Sequence, residues 1–198
     1  ELPAVIVSMM RGGPGLGSIQ PAQSDYFQAT RGGGNGDYRT VVLAPSTIQE
    51  AADFTQEAFD IADDYRIPVV VLADGMVGQM MEAIEWRKPP MRVLKEKTWA
   101  AVGTDDAREP NIINSLYIDA KDCAAHNECL RLKHARITER EIRYESYQTE
   151  DAEVIFVAYG TTARISRAAV IQLREKGIRA GLFRPITLWP FPEEALRI

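Results

Sequence analysis

An unbroken apolar run, Val69-Val70-Val71-Leu72-Ala73, stands between Pro68 and an Asp74-Gly75 pair. A strand with one face in water alternates apolar and polar side chains. A strand that is apolar at every position is buried on both faces, as in a parallel sheet covered by helices. Upstream, Pro45-Ser46 opens a stretch in which Ile48, Ala51, Thr55, Ala58, Phe59 and Ala62 recur at helical spacing. Ser46 and Gln49 fit a capping box that would start this helix, and Pro68 cannot continue it. With Thr40 to Leu43 as the preceding strand, the pattern is strand, helix, strand. That is the unit whose right-handed crossover builds parallel sheets. Ala4 to Ser8 is one more β-branched strand, and a short helix is expected from Ala22 to Thr30. The chain reads as an α/β protein.

The last third repeats the unit. Val154 to Ala158 reads as a strand, Tyr159-Gly160 as a turn, and Thr161 or Thr162 as the cap of a helix with Ile165, Ala168, Ala169 and Leu173 on one side. Gly177 suits the C′ position, where the left-handed conformation favours glycine, and Ala180 to Phe183 follows as a strand. Between the two units, Lys88-Pro89-Pro90 breaks structure and Gly103 to Pro110 reads as a loop. Lys121 to Tyr147, dense in charge, reads as a solvated linking helix. The expected division is 1–93, 94–151 and 152–198. The chain starts without Met in a strand-like run, and Pro192 to Ile198 looks like a helix cut short, so a longer polypeptide is expected.

Composition narrows the function. With 198 residues and a net charge of -5, the chain lacks the concentrated basic surface that a nucleic-acid partner requires. No apolar run approaches the roughly 20 residues that span a bilayer, and the start has no signal-peptide pattern. Two cysteines, Cys123 and Cys129, suit a reducing cytoplasm. They cannot supply the roughly four thiolates of an iron–sulfur cluster. No residue set with metal-ligand spacing is found. His126 and His134, in the charged linker, are expected to face solvent. Met76, Met80 and Met81 read as packing or subunit contact.

Gly13-Pro-Gly-Leu-Gly17 follows the first strand. It is not a dinucleotide fingerprint, because Ser18 replaces the last glycine and Pro21 interrupts any following helix. It lacks the GK[ST] of a P-loop as well. Such a loop is either a tight connection or a place where backbone approaches a ligand closely. Arg11 opens it at the carboxyl end of a buried strand, where ligands collect in open α/β sheets. A guanidinium there can fork onto a carboxylate or form a structural ion pair, and the residues alone leave both open.

The run from Arg11 to Arg39, with Gly13-Pro-Gly-Leu-Gly17, Gln23-Ser-Asp-Tyr26 and Gly32-Gly-Gly-Asn-Gly36 inside it, resembles the α-type subunit of thiamine-dependent 2-oxoacid:ferredoxin oxidoreductases. Leu72-Ala-Asp-Gly-Met-Val-Gly-Gln-Met-Met-Glu82, Asn111-Ile-Ile-Asn-Ser-Leu-Tyr117 and Arg184-Pro-Ile-Thr-Leu-Trp-Pro-Phe-Pro192 carry the same resemblance. It covers nearly the whole chain and is strongest to the 2-oxoisovalerate (branched-chain) branch. Branches acting on 2-oxoglutarate tend to carry G-P-S-T-G at 13–17, and many relatives have His where Asn35 stands. The resemblance implies the C-terminal half of a parallel-sheet thiamine pyrimidine-binding domain, then the start of a domain similar to the transketolase C-terminal domain. It implies conversion of a 2-oxoacid and coenzyme A to acyl-CoA and carbon dioxide, with ferredoxin reduced. Arg11 matches the position near the substrate carboxylate, and Gly15 and Asp25 are the expected contacts to the cofactor. Thiamine diphosphate with magnesium would be shared with a partner subunit, since Leu72-Ala-Asp-Gly75 only superficially resembles the metal-holding G-D-G…N motif. The thiamine-activating glutamate would lie upstream of this segment, and iron–sulfur clusters would sit in partner subunits. The rivals are a non-catalytic scaffold of the same fold, a 2-oxoglutarate or pyruvate specificity, and a nicotinamide-dependent dehydrogenase.

Overall fold

The computed structural model describes residues 2–32, 34–36, 38–88, 92–93, 96–103 and 107–197. Gly33 and Asp37 of the second glycine-rich stretch lie outside these residues. So do the expected break at Pro89-Pro90, the centre of the 103–110 loop, residues 94 and 95 of the expected linker, and the terminal residues 1 and 198.

Strands β1 (Ala4–Met10), β2 (Val41–Leu43) and β3 (Pro68–Asp74) form a parallel sheet with β3 in the middle. The apolar run is buried as its composition requires, with Val69, Val71, Leu72 and Ala73 at most 1% exposed. Helix α2 (Ile48–Tyr65) covers one face of this sheet, with Ala58, Ile61, Ala62 and Tyr65 against Val41, Leu43, Val69 and Val71. Phe59, placed on the inner face by the sequence reading, is 60% exposed. Positions 58, 61, 62 and 65 make the buried stripe at the i, i+3, i+4, i+7 spacing, and residue 59 stands a hundred degrees round from 58. The cap also sits one residue later than expected. Thr47 accepts from Glu50 N at 3.0 Å, and the Glu50 carboxylate returns to Ser46 N at 2.7 Å. A carboxylate is the stronger acceptor, and Gln49 is instead paired with the backbone N–H and C=O of Glu85.

Helix α1 (Tyr26–Arg31) is shorter than expected, and a one-turn helix, α3 (Gly75–Gln79), follows β3. Residues 80–118 run without regular structure where described. Helix α4 (Ala120–Glu141) is charged, yet its last turns dip into the first core, with Ile137 fully buried and Glu141 3% exposed. The expected helix does not reach Tyr147. Tyr144–Tyr147 is strand β4, antiparallel to β6 (Ala180–Pro185). The alternation of Tyr144, Glu145, Ser146 and Tyr147 is the period of a strand, and the charge density around it hid the change of period.

The second sheet has the order β4, β6, β5, where β5 is Val154–Val157 and pairs parallel with β6. Helix α5 (Gly160–Glu175) connects β5 to β6. Ala163 and Val170 are its buried apolar positions, whereas Ile165, expected inside, is 65% exposed. Gly177 takes the C′ position at φ 81°, with its N–H on Arg174 O and Ile178 N–H on Leu173 O. After β6 the chain crosses at once to the first sheet, where β7 (Thr187–Trp189) pairs antiparallel with β2. A final turn, α6 (Glu193–Leu196), ends the described chain.

Candidate functional site

The carboxyl ends of β1 and β3 lie side by side, because Met10 pairs with Asp74 in register. Arg11 and Gly75 are therefore neighbours at the end of a parallel sheet, and a loop from Arg11 to Asp25 folds over them. Gly12 N–H bonds Gln20 O at 3.0 Å, Ser18 N–H bonds Gly12 O at 2.7 Å, and Arg11 bridges Pro21. Ser24 Oγ donates to Arg11 O at 2.6 Å, so Asp25 begins where the loop closes. Gly17 makes this closure possible. Its φ is +50°, and a Cβ there would lie 1.9 Å from Gly12 O.

Arg11 is exposed, and its guanidinium donates to the Leu16 carbonyl of its own loop. Of the two readings open in sequence, an ion pair within the chain is not what the structure shows for the described residues; the fork is braced on backbone. Gly15 lies at the outer tip of the loop, with open space where a Cβ would be. Asp25 precedes α1 without capping it. Its residue lines a hollow of about 520 Å³ floored by Ile6, Val70 and Leu72, with Ser8 and Thr40 at its polar edge. Arg11, Gly15 and Asp25 thus belong to one closed loop, and Gly15 precedes the Leu16 carbonyl that the Arg11 guanidinium reaches.

Asp74, read in sequence as the end of a strand and as a superficial match to a metal-holding motif, is the polar centre of this region. It is 4% exposed. Its carboxylate accepts from Met76 N at 3.0 Å, Val77 N at 3.2 Å, Thr161 Oγ at 2.8 Å and Thr161 N at 3.3 Å. Thr161, one of the two threonines expected to cap α5, instead donates its hydroxyl to Asp74, and α5 has no side-chain cap. The local signal was present, since Asp before Gly at a strand end suits an N-cap. Nothing local pointed to Thr161, 87 residues away.

Next to Asp74, Tyr159 packs on Tyr26 with ring centroids 5.9 Å apart. Burial first, then the nearby Tyr26, Asp74 and Asp25, push the Tyr159 hydroxyl up to about 12. That hydroxyl is buried and has no hydrogen-bond partner among the described residues. His134, expected to face solvent, is half-buried edge-on against Trp189 at 5.7 Å, and burial followed by the Lys133 and Arg39 charges lowers its pKa. His126, also expected to face solvent, is half-buried and stacks on Tyr117. Among the described residues no group of three or more His, Cys, Asp or Glu could hold a metal ion. No helix among them is long and apolar enough to cross a membrane.

Residues 1–114 match the family model for the thiamine diphosphate-binding region of pyruvate flavodoxin/ferredoxin oxidoreductases. Residues 152–198 match the model for core domain II of pyruvate:ferredoxin oxidoreductase. The ketoisovalerate oxidoreductase subunit VorB of Methanothermobacter thermautotrophicus is 48% identical over 197 residues, spanning 100% of this chain and 56% of that protein. The 2-oxoglutarate synthase subunit KorA of Methanocaldococcus jannaschii is 34% identical, spanning 100% of this chain and 60% of that protein. A solved 2-oxoglutarate:ferredoxin oxidoreductase from Magnetococcus marinus, with 2-oxoglutarate, coenzyme A and succinyl-CoA bound, superposes with a TM-score of 0.76. It is 22% identical and covers 96% of this chain and 38% of that one, which speaks to the fold. The chain spans little more than half the length of the curated relatives it matches.

Proposed function

This chain belongs to the pyruvate flavodoxin/ferredoxin oxidoreductase family, and on that premise we propose that it is the substrate-facing part of a subunit that oxidatively decarboxylates 2-oxoisovalerate. The observation that carries the branch is the grading of identity, 48% and 46% to two ketoisovalerate oxidoreductase subunits against 34% to 36% for 2-oxoglutarate synthase subunits. The overall reaction balances as one 2-oxoacid anion and one coenzyme A thiol giving acyl-CoA, carbon dioxide, one proton and two electrons, the electrons passing to ferredoxin. The setting is the cytoplasm, where such thiol chemistry is compatible with reduced cysteines.

Thiamine diphosphate, when bound, supplies the electron sink that decarboxylation of a 2-oxoacid needs. The residues present fit its organic end. Asp25 borders a hollow with an apolar floor of Ile6, Val70 and Leu72 and a polar edge at Ser8 and Thr40. The metal that holds the diphosphate finds no ligand cluster among the described residues. We therefore assign Asp25, and the Gly15 backbone at the open tip, to cofactor contact from this chain. Magnesium and diphosphate binding, and the iron–sulfur clusters, belong to partner subunits. Arg11 is assigned to the substrate carboxylate. Its guanidinium is held by Leu16 O at the carboxyl end of the sheet, and a fork already oriented loses less entropy on binding a planar carboxylate.

The test is anaerobic, coenzyme A-dependent reduction of a viologen dye by the full assembly, with 2-oxoisovalerate, 2-oxoglutarate and pyruvate in parallel. Preference for 2-oxoisovalerate is expected. Preference for another 2-oxoacid sinks the branch assignment. An assembly with intact clusters but no thiamine diphosphate points to the scaffold role instead.

A further inference from the structure

Gln23 is the side chain through which the Arg11 loop grips the second α/β unit. Its amide donates to Tyr159 O at 2.9 Å, across 136 residues of sequence, and reaches Asp74 Oδ2 at 3.4 Å. Gly160 lets the backbone of α5 come this close. At φ +57° it adopts a conformation that L side chains rarely take, and a Cβ there would stand 3.0 Å from the Gln23 amide nitrogen and 3.4 Å from Asp74 Oδ2. On the other side the loop rests on the sheet, since a Cβ at Gly75 would meet Met10 O at 3.4 Å and Pro21 at 3.5 Å. Gln23 lies two residues beyond Pro21, which is bridged to Arg11. Ser24, the next residue, is bonded to the Arg11 carbonyl. A shift of Gln23 is therefore transmitted to Arg11 through one bridge and one hydrogen bond.

We propose that Gln23 is a positioning residue for the Arg11 loop: held between the Tyr159 carbonyl and the Asp74 carboxylate, its amide fixes where the loop stands relative to α5, and so where the Arg11 guanidinium can meet a carboxylate. The inference rests on the role given to Arg11 above. It makes the junction of the two α/β units part of the substrate site. A loop that is displaced by an ångström keeps its charge but loses the fork geometry on which a bidentate contact depends.

A carboxyl at position 23 gives the role a signature that a merely structural role lacks. Gln23→Glu puts two carboxyl groups face to face. They share a hydrogen bond when one is protonated and repel when both are ionised. Asp25, Tyr26 and Tyr159 are the other titratable groups at this junction, and burial raises both tyrosines away from neutrality. The experiment uses the full assembly with its full-length subunit, carrying Gln23→Leu, Gln23→Glu or Arg11→Ala, with 2-oxoisovalerate as the varied substrate. Gln23→Leu is expected to raise KM about tenfold with kcat nearly unchanged, the pattern of lost binding. Gln23→Glu is expected to show a KM that falls toward the wild-type value as pH is lowered from 8 to about 6, against a flatter wild-type profile. Because this comparison is internal to one variant, it decides the matter even if Gln23→Leu fails to assemble. If Arg11→Ala raises KM while both Gln23 variants keep wild-type KM at every pH, this inference falls alone. If Arg11→Ala keeps wild-type KM, the substrate role of Arg11 falls and this inference with it.

Discussion

Arg11 both braces its own loop, through Leu16 O, and presents the rest of its guanidinium outward. Removing it should therefore cost a charge-assisted contact of about 2–3 kcal/mol, which corresponds to a rise in KM on the order of 30- to 150-fold. Arg11→Lys should fall between, since an ammonium keeps the charge and loses the planar fork. Steady-state kinetics of the assembly decides, and an unchanged KM in both variants removes Arg11 from the site. Gly17 is the second sensitive position. A Cβ would meet Gly12 O at 1.9 Å, and that oxygen already accepts from Ser18 N. Gly17→Ala must open the loop. The loop is exposed, so global stability should drop by only about 1–2 kcal/mol, while KM rises as it does for Arg11→Ala. A melt that collapses together with activity would assign the glycine to folding rather than to the loop. Both positions were legible in sequence, Arg11 by its place after an apolar strand and Gly17 by its place in a glycine-rich loop, although that strand, expected to be buried, is largely exposed up to Met10. The partner oxygen of each was not.

Helix α4 shows what a charged element hides. Its composition suggested a solvated face, yet Glu141 lies buried and accepts two hydrogen bonds from Arg92, at 2.7 and 2.8 Å, and one from Tyr65 at 2.8 Å. Burial pushes the Glu141 carboxyl up. The Arg92 and Tyr65 hydrogen bonds and the Arg92 and Arg143 charges more than offset it, so the group ionises below the ordinary carboxylate value. A carboxyl depressed in the folded state contributes stability above its unfolded pKa, and this contribution is lost as pH falls through the folded value. Glu141→Gln should therefore destabilise the chain by about 2–3 kcal/mol near pH 7, softened because Arg92 is partly in water. The difference from wild type should shrink below about pH 4.5. Chemical denaturation at a series of pH values checks this, and a difference that grows toward acid contradicts it. The segment after β3 is tied down in the same way. Glu82 accepts from Ile48 N at 3.1 Å, at the start of α2, and from Arg164 of α5 at 2.8 Å. One carboxylate thus serves a helix N-terminus and a neighbouring helix together.

The two sheets are joined by polar contacts as well as by the crossing at Ile186. Arg184, 6% exposed on β6, bonds Glu50 of α2 at 2.9 and 2.5 Å and Glu145 of β4 at 3.4 Å. Deleting one partner of a buried pair strands the other charge, at a cost of about 3–5 kcal/mol, whereas replacing both can be close to neutral. Glu50→Gln alone should destabilise, by less than that because Arg184 keeps Glu145 and Glu50 is 27% exposed, and should separate unfolding into two transitions, one for each sheet. Arg184→Met with Glu50→Gln should recover much of the loss. A double-mutant cycle with no coupling would show that this pair does not hold the units together. Large apolar side chains also remain in water at this scale. Ile6, Val7 and Met9 on β1 and Val154, Ile155 and Val157 on β5 are 43% to 53% exposed, on strands whose composition is that of a sheet interior. A chain that presents such strands by itself should bind a hydrophobic dye, and the signal should disappear in the full assembly. Persistence of the signal there would show that these strands stay uncovered.

The amino-acid sequence by itself determined the α/β alternation, the burial of 69–73, the glycine at the end of α5 and the family. Each of these is written in a local period or in a contiguous run. Tertiary structure alone decided the Asp74 junction, the antiparallel β7 beside β2, the burial of His134 and of Glu141, and the hold of Gln23 on the second unit. The physical reason is the distance between partners. A hydrogen bond that closes 51, 87 or 136 residues of chain leaves no period behind it, and a polar side chain reads as solvated until the acceptor that buries it is in place.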